Sequence, residues 1–378
     1  MKKILLITRN FPPLTGGMEK LFFNVYLGLR DNFQTALVAQ TDREILGRDE
    51  DRIFYTNHSP LWLFLIVSFY QSIKAAFIFK PDIIISGSGL TSLAAKVAGL
   101  LSGAPVVTLV HGLDLIVDNK FYQALFIPAI RSCDAVIVNS RNTQQLAIEA
   151  NINKKKISII HPGVTIPENK NKGDYEYLLS RFSIGSRPVI ISVGRLTKRK
   201  GIAEFIENSL PDIVKKIPDI LFVVVGEDAI NAINKNKESE KYRIKGIVAS
   251  MHLEGNVLFT GFLSDIELQA FYAIAQVFIF PVIPTDHDVE GFGMVAIEAA
   301  AYGVPTVAFA KGGVVDAVKH GTSGFLVEPM EYTAFTEKVI QLLLSRSDYI
   351  EKEQCKQFAK KFSWNNYLEK LDRLLSYL

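Results

Sequence analysis

Glu290 and Glu298 are the residues of this 378-residue chain whose type and spacing point most directly to chemistry. Glu290 precedes Gly291 and Gly293, and Glu298 follows in an apolar helical run that ends at Gly303-Val304-Pro305. On one continuous helix, eight residues would separate the two carboxylates by about 12 Å along the axis. The glycines argue against that. They place Glu290 on a loop above the helix start, with the N–H groups of Gly293, Met294 and Val295 aimed the same way, which is the arrangement that holds a diphosphate. Glu298, one to two turns further in, is then positioned to accept hydrogen bonds from a ribose. The competing reading is plainer: two carboxylates that flank a helix start, one a surface charge and the other in a structural pair.

A basic loop is the natural counterpart. Val193-Gly194-Arg195-Leu196-Thr197-Lys198-Arg199-Lys200-Gly201 carries four positive charges in six residues. Charge runs usually end as solvated loops. At the carboxyl end of a strand, however, such a loop faces the crevice of an α/β domain, where Arg195 and Lys200 can bracket a diphosphate. After the first strand, Gly16 and Gly17 lead into a helix where a side-chain-free loop can approach a ligand, although plain turns use Gly-Gly as often. His111 follows another strand. It is a candidate either for a sugar hydroxyl or proton transfer, or for an ordinary satisfied, half-buried histidine. No dinucleotide fingerprint, Walker lysine, metal-ligand spacing or serine-hydrolase elbow occurs.

These residues need strands and helices to hold them. Apolar β-branched runs alternate with amphipathic segments along the whole chain, as they do where strands are buried on both faces of a parallel sheet. The expected strands are 3–8, 34–39, 83–86, 106–110, 135–139 and 157–161, then 188–193, 220–225, 257–260, 277–281, 306–310 and 324–327. Polar and Pro/Gly residues break the pattern between the two series. The reading is therefore two doubly wound α/β domains, at 1–165 and 188–360, joined by a linker at 166–187, with ligands at the carboxyl ends of the two sheets. Trp364, Tyr367, Leu368, Leu371, Leu374 and Leu375 make 361–378 an amphipathic helix laid back on the body.

Composition narrows the class. Hydrophobic residues make up 48% and charged ones 21%, so the chain is folded and somewhat greasy, and the net charge of +3 implies no nucleic-acid partner. Cys133 and Cys355 are expected as buried small side chains in a reducing compartment. The apolar segment Leu61–Phe79 nears the length of a membrane span but is interrupted by Ser68, Gln71, Ser72 and Lys74. It reads as a helix buried between strands or as one whose outer face, rich in Trp62, Phe64 and Phe69, dips into lipid headgroups.

Taken in order, the Pro12-Pro13…Gly16-Gly17 loop, His111-Gly112, His161-Pro162-Gly163-Val164, Gly194-Arg195…Lys200-Gly201, Phe259-Thr260-Gly261, Glu290…Glu298 and Gly312-Gly313 resemble family 4 of the retaining, nucleotide-sugar-dependent glycosyltransferases, also called glycosyl transferases group 1. The resemblance spans nearly the whole chain. It implies the GT-B fold, with two Rossmann-like domains facing across a cleft, and transfer of a hexose-type sugar from a UDP- or GDP-sugar to a glycan or lipid-linked acceptor. It implies no metal and no cofactor beyond that donor. Arg195 and Lys200 would neutralise the diphosphate, the amides of Gly293, Met294 and Val295 would bind phosphates, and Glu298 the ribose. Glu290, with the backbone of Gly291 and Phe292, would hold the transferred sugar, and His111 would contact it. Gly16 and Gly17 would let their loop close over donor phosphate or acceptor. The expected setting is bacterial surface polysaccharide, lipopolysaccharide or glycolipid assembly, in the cytoplasm and peripheral on the membrane through 61–79. Departures stand at Gly226-Glu227-Asp228, usually Gly-x-Gly, and at Asp286-His287-Asp288. A hydrolysing nucleotide-sugar epimerase of the same fold, or an inactive nucleotide-sugar-binding protein, are the competing readings.

Overall fold

A computed structural model describes residues 1–46, 52–57, 59–167, 175, 180–228, 239–285, 288–344 and 350–378. Asp286 and His287, and half of the expected linker, lie outside the described residues. The chain forms two compact units, Met1–Gly163 together with Trp364–Leu378, and Val164–Ser363.

The first unit is built on β1 (Lys3–Ile7), β2 (Gln34–Ala39), β3 (Arg52–Tyr55), β4 (Ile83–Ser86), β5 (Val106–Val110), β6 (Ala135–Val138) and β7 (Ile157–Ile159). All pair in parallel, in the order β3-β2-β1-β4-β5-β6-β7. Helices cover both faces of the sheet, so its central strands are largely apolar; Ile4 to Ile7 and Ile83 to Ile85 are all buried. β3 is the strand that the apolar-run reading misses. It is an edge strand paired only with β2, its four residues are at most half-buried, and it therefore needs no apolar run.

Leu61–Phe79 is one helix, and only 28% of its most apolar window is buried. Trp62, Ile66, Tyr70, Phe77 and Ile78 are exposed along it. The expected outer face needs correcting at Phe64, which is buried with Arg9 over its ring, and at Phe69, which is half-buried. The spacing 62, 66, 70 sets the outward stripe, and Phe64 falls on the opposite side of the turn.

The helix Trp364–Ser376 closes the first unit. Tyr367, Leu371 and Leu375 are buried with Phe22, Val25, Tyr26 and Leu29 of the helix Gly17–Asn32. Gly28 makes room for it, since a Cβ there would stand 2.3 Å from a Leu368 methyl group.

The second unit repeats the plan with β8 (Val189–Val193), β9 (Leu221–Val225), β10 (Val257–Gly261), β11 (Val277–Phe280), β12 (Thr306–Phe309) and β13 (Gly324–Val327). The parallel order is β10-β9-β8-β11-β12-β13. From β8 the chain crosses to β9 on one side, and from β11 to β12 on the other. The loops after β8 and β11 therefore part, and a crevice opens at the carboxyl ends of these adjacent strands. Both free cysteines are buried, one in each unit.

Candidate active site

The loops that part at this switch point carry the charged residues. After β8 the chain runs through Gly194–Thr197 into a short 3₁₀ turn, Lys198–Lys200, that ends at Gly201 with φ +66°. Only glycine fits there. A Cβ would lie 2.0 Å from the Pro281 carbonyl oxygen, so the β8 and β11 loops touch backbone to backbone. The Ile283 N–H donates to the Arg199 carbonyl at 3.0 Å and fixes the register of the two loops.

Glu290 lies on the β11 loop, above a helix that begins at Met294, and it is not part of that helix. Lys200 Nζ donates to Glu290 Oε2 at 2.8 Å, and Arg199 Nη1 donates to the same oxygen. Arg199 Nε stands 3.1 Å from Asp288 Oδ2. Burial alone would raise the Glu290 pKa, but Lys200 and Arg199 outweigh it and hold the carboxyl down at about 2. The same burial lowers the Lys200 pKa against the pull of Glu290. For Arg199 burial is again the largest influence and works downward, but Glu290 and Asp288 overcome it and raise the pKa. The cluster is thus two cations and two anions, with Lys200 Nζ also 4.9 Å from the centre of the Phe280 ring.

Arg195, expected to bracket a diphosphate with Lys200, lies on the exposed part of the loop. It makes no ion pair among the described residues, yet its charge reaches Lys200. Arg199, which the sequence did not single out, stands with Lys200 beside Glu290. The charge run contained it, but strict alternation points neighbouring side chains apart, and only the 3₁₀ turn brings both 199 and 200 to one carboxylate.

Gly293 caps the helix Met294–Ala301 with φ 101°, and no side chain caps that end. A Cβ on Gly293 would meet the Phe280 ring at 2.7 Å, so the helix start is pressed onto the end of β11. The amides of Gly293, Met294 and Val295 stand at this uncapped terminus, where the helix dipole favours an anion. Phe292 turns its ring into the core, 5.7 Å from Phe362, and leaves backbone at the loop surface. The loop after β12 supports Gly291 from behind. The Gly313 N–H donates to the Glu290 carbonyl at 2.8 Å, and a Cβ on Gly313 would lie 2.0 Å from the Gly291 oxygen.

Glu298 is on the helix, one turn beyond, and in different company. The Tyr272 hydroxyl donates to its Oε2 at 3.3 Å, and the Tyr272 ring stacks on Tyr302 at 5.5 Å. The two carboxylates are therefore separated in role: Glu290 belongs to a charged cluster and Glu298 to a tyrosine pair. Neither Tyr272 nor Asp288 was marked as a site residue by the sequence; a tyrosine on a neighbouring helix has no local signal.

In the first unit, Gly16 caps the helix Gly17–Asn32, and the Glu19 carboxylate folds back toward it while accepting from Asn10 Nδ2 at 2.7 Å. His111 stands at the end of β5. Its Nε2–H donates to the Gly87 carbonyl at 3.1 Å, and its backbone N–H donates to Asp114 Oδ2 at 2.9 Å. Burial lowers its pKa more than Asp114 raises it, so the ring is neutral. Its Nδ1 is buried and has no partner among the described residues.

Residues 15–166 match the family described as Glycosyltransferase Family 4, and residues 180–362 match Glycosyl transferases group 1. A GDP-mannose-dependent alpha-(1-6)-phosphatidylinositol monomannoside mannosyltransferase of Mycobacterium tuberculosis is 25% identical over 92% of this chain and 90% of its own. The capsular polysaccharide biosynthesis glycosyltransferase CapM of Staphylococcus aureus is 26% identical over 98% and 95%. The crystal structure of Anabaena HepE in complex with UDP superimposes with a TM-score of 0.79 at 20% identity, covering 100% of both chains. Two matched families that between them take in both units, and a GT-B architecture laid out over the full length, lead to one conclusion: the chain is a glycosyltransferase and belongs to family 4.

Proposed function

We propose that the protein transfers a hexose-type sugar from a UDP- or GDP-sugar to a glycan or lipid-linked acceptor, with retention of configuration at the anomeric carbon. The observation that carries this reading is the Glu290–Lys200–Arg199 cluster beside the uncapped start of the helix Met294–Ala301. Lys200 and Arg195 neutralise the donor diphosphate, and the amides of Gly293, Met294 and Val295 complete its cradle. Cationic side chains then stabilise the departing nucleoside diphosphate and supply the electrostatic help that a metal ion gives elsewhere, so no metal is invoked. Glu298, oriented by Tyr272, accepts from the ribose hydroxyls. Glu290 and the backbone of Gly291 and Phe292 hold the transferred sugar. In the first unit, Gly16 and Gly17 give a side-chain-free approach to donor phosphate or acceptor, and His111 accepts a sugar hydroxyl at Nδ1.

Glu290 is engaged by Lys200 and Arg199 and is assigned no covalent role. The acceptor proton instead passes to the leaving phosphate oxygen on the same face of the sugar. The M. tuberculosis relative is a phosphatidylinositol monomannoside mannosyltransferase, and CapM is a glycosyltransferase of capsular polysaccharide biosynthesis. An acceptor of that kind agrees with the exposed stripe Trp62, Ile66, Tyr70, Phe77 and Ile78, with exposed Lys74 on the same helix. We place the protein in the cytoplasm, peripheral on the inner face of the membrane.

The test is transfer itself. The purified protein is incubated with labelled UDP-glucose or GDP-mannose and membrane lipid extract, and the anomeric configuration of the product is read by NMR. A retained product that Glu290→Gln fails to form supports the reading. Release of free or epimerised sugar without any acceptor product favours the epimerase alternative.

A further inference from the structure

Glu290 receives two cations on a single oxygen, and the two are held differently. Arg199 is engaged at both ends of its guanidinium, with Nε beside Asp288 and Nη1 on Glu290. The Nη1 contact is a hydrogen bond, whereas Nε lies within ion-pair distance of Asp288 without a hydrogen bond to it. Lys200 brings a single ammonium at the end of a flexible stem, with three rotatable donors, one contact to Glu290 and the face of Phe280 for company. Among the described residues of the cluster the charges pair off, Arg199 and Lys200 against Asp288 and Glu290. A diphosphate changes that, because Lys200 cannot serve it fully while it also neutralises a buried carboxylate. If Lys200 were the sole partner, its departure would strand Glu290 as an uncompensated buried anion, a change that costs several kcal/mol.

We propose that Arg199, anchored by Asp288, is the standing counter-ion of Glu290, and that its presence lets Lys200 pass from Glu290 to the donor diphosphate. This inference rests on the donor reading above. Arg199 is in this account a positioning residue: it acts through Glu290 and Lys200 and touches no reacting atom. The charges that govern Glu290 are Lys200 and Arg199; Asp288 faces Arg199, and Arg195 acts on Lys200 from the exposed side. Without Arg199, the transfer of Lys200 leaves Glu290 with no paired cation among the described residues, and a proton takes that place. Donor binding then becomes coupled to proton uptake.

The experiment is calorimetric titration of the full chain with UDP-glucose and with GDP-mannose, which lack the monoester phosphate that titrates near about pH 6. It is run in buffers of low and high ionisation enthalpy, so that protons taken up on binding are counted. Wild type is compared with Arg199→Gln, Arg199→Lys and Asp288→Asn, each checked for folding by its circular dichroism melt. The expected result is donor binding by wild type with no net proton exchange near neutrality. Arg199→Gln should bind at least about tenfold more weakly, take up part of a proton, and recover affinity as the pH is lowered. Arg199→Lys should restore binding in part. Asp288→Asn, at a site 38% exposed, keeps the proposal testable if Arg199→Gln does not fold, and should show the same proton uptake in milder form. Unchanged affinity and proton count in Arg199→Gln, or in Asp288→Asn should the former not fold, would overturn the proposal. Weaker binding without proton uptake would also overturn it and make Arg199 a direct ligand of the diphosphate. No binding of either donor by wild type would remove the donor reading itself, and the role of Lys200 with it.

Discussion

At the scale of single residues, the account turns on a carboxylate that is charged because of its neighbours. Glu290 has its pKa lowered from an ordinary 4.5 to about 2. A depressed acid contributes stability that is fully present above its unfolded value and is lost as the pH falls toward its folded one, here from about 4.5 down to about 2. Glu290→Gln should therefore lower stability at pH 7 by about 3 kcal/mol, since it leaves Arg199 and Lys200 side by side without their anion. Wild type and variant should converge in urea titrations as the pH drops through that window. A constant difference between them at every pH would show that the cations do not hold the charge. Sequence spacing put Glu290 and Lys200 on glycine-marked loops and Glu298 within the helix that follows, and the structure places them there. It missed Arg199, whose direction depends on a 3₁₀ turn, and Tyr272, which comes to Glu298 from another helix.

Elements place these residues through glycine-lined contacts between loops. Gly313 packs against the Gly291 carbonyl with no room for a Cβ, and the obstacle is backbone, which cannot rotate away. Gly313→Ala should push the Glu290 loop outward, lower stability by about 1–3 kcal/mol and slow transfer by about 10²-fold. Gly246 lies in the helix Glu240–Ser250 with nothing near its missing Cβ. Gly246→Ala should stabilise the protein by about 0.5–1 kcal/mol and leave transfer unchanged. Thermal melts and initial rates on both variants separate a general glycine effect from a loop contact. Twelve of the thirteen strands among the described residues were readable as apolar runs because both faces of each sheet are covered. The thirteenth, β3, is an exposed edge that no hydrophobic pattern records.

Across the whole molecule, the chain leaves its first unit at Gly163, builds the second, and returns with the helix Trp364–Ser376 to finish the first. Leu371, fully buried against the helix Gly17–Asn32, is thus a core residue of a unit begun more than 300 residues earlier. Leu371→Ala should cost about 2–5 kcal/mol, and hydrogen exchange should show the loss in residues 1–163 rather than in 164–363. The membrane claim belongs to this scale too. Trp62→Ser with Ile66→Ser and Tyr70→Ser should reduce sedimentation with anionic vesicles while leaving the melt unchanged, and equal sedimentation would assign the stripe to another partner. The measurement that bears most directly on the central claim is a binding titration of the whole protein with UDP-glucose and GDP-mannose beside Arg195→Ala, Lys200→Ala and Glu298→Ala. The account predicts saturable binding of one of these donors by wild type, weakened in all three variants. Binding that survives all three substitutions would contradict the assignment of the donor site to the second unit.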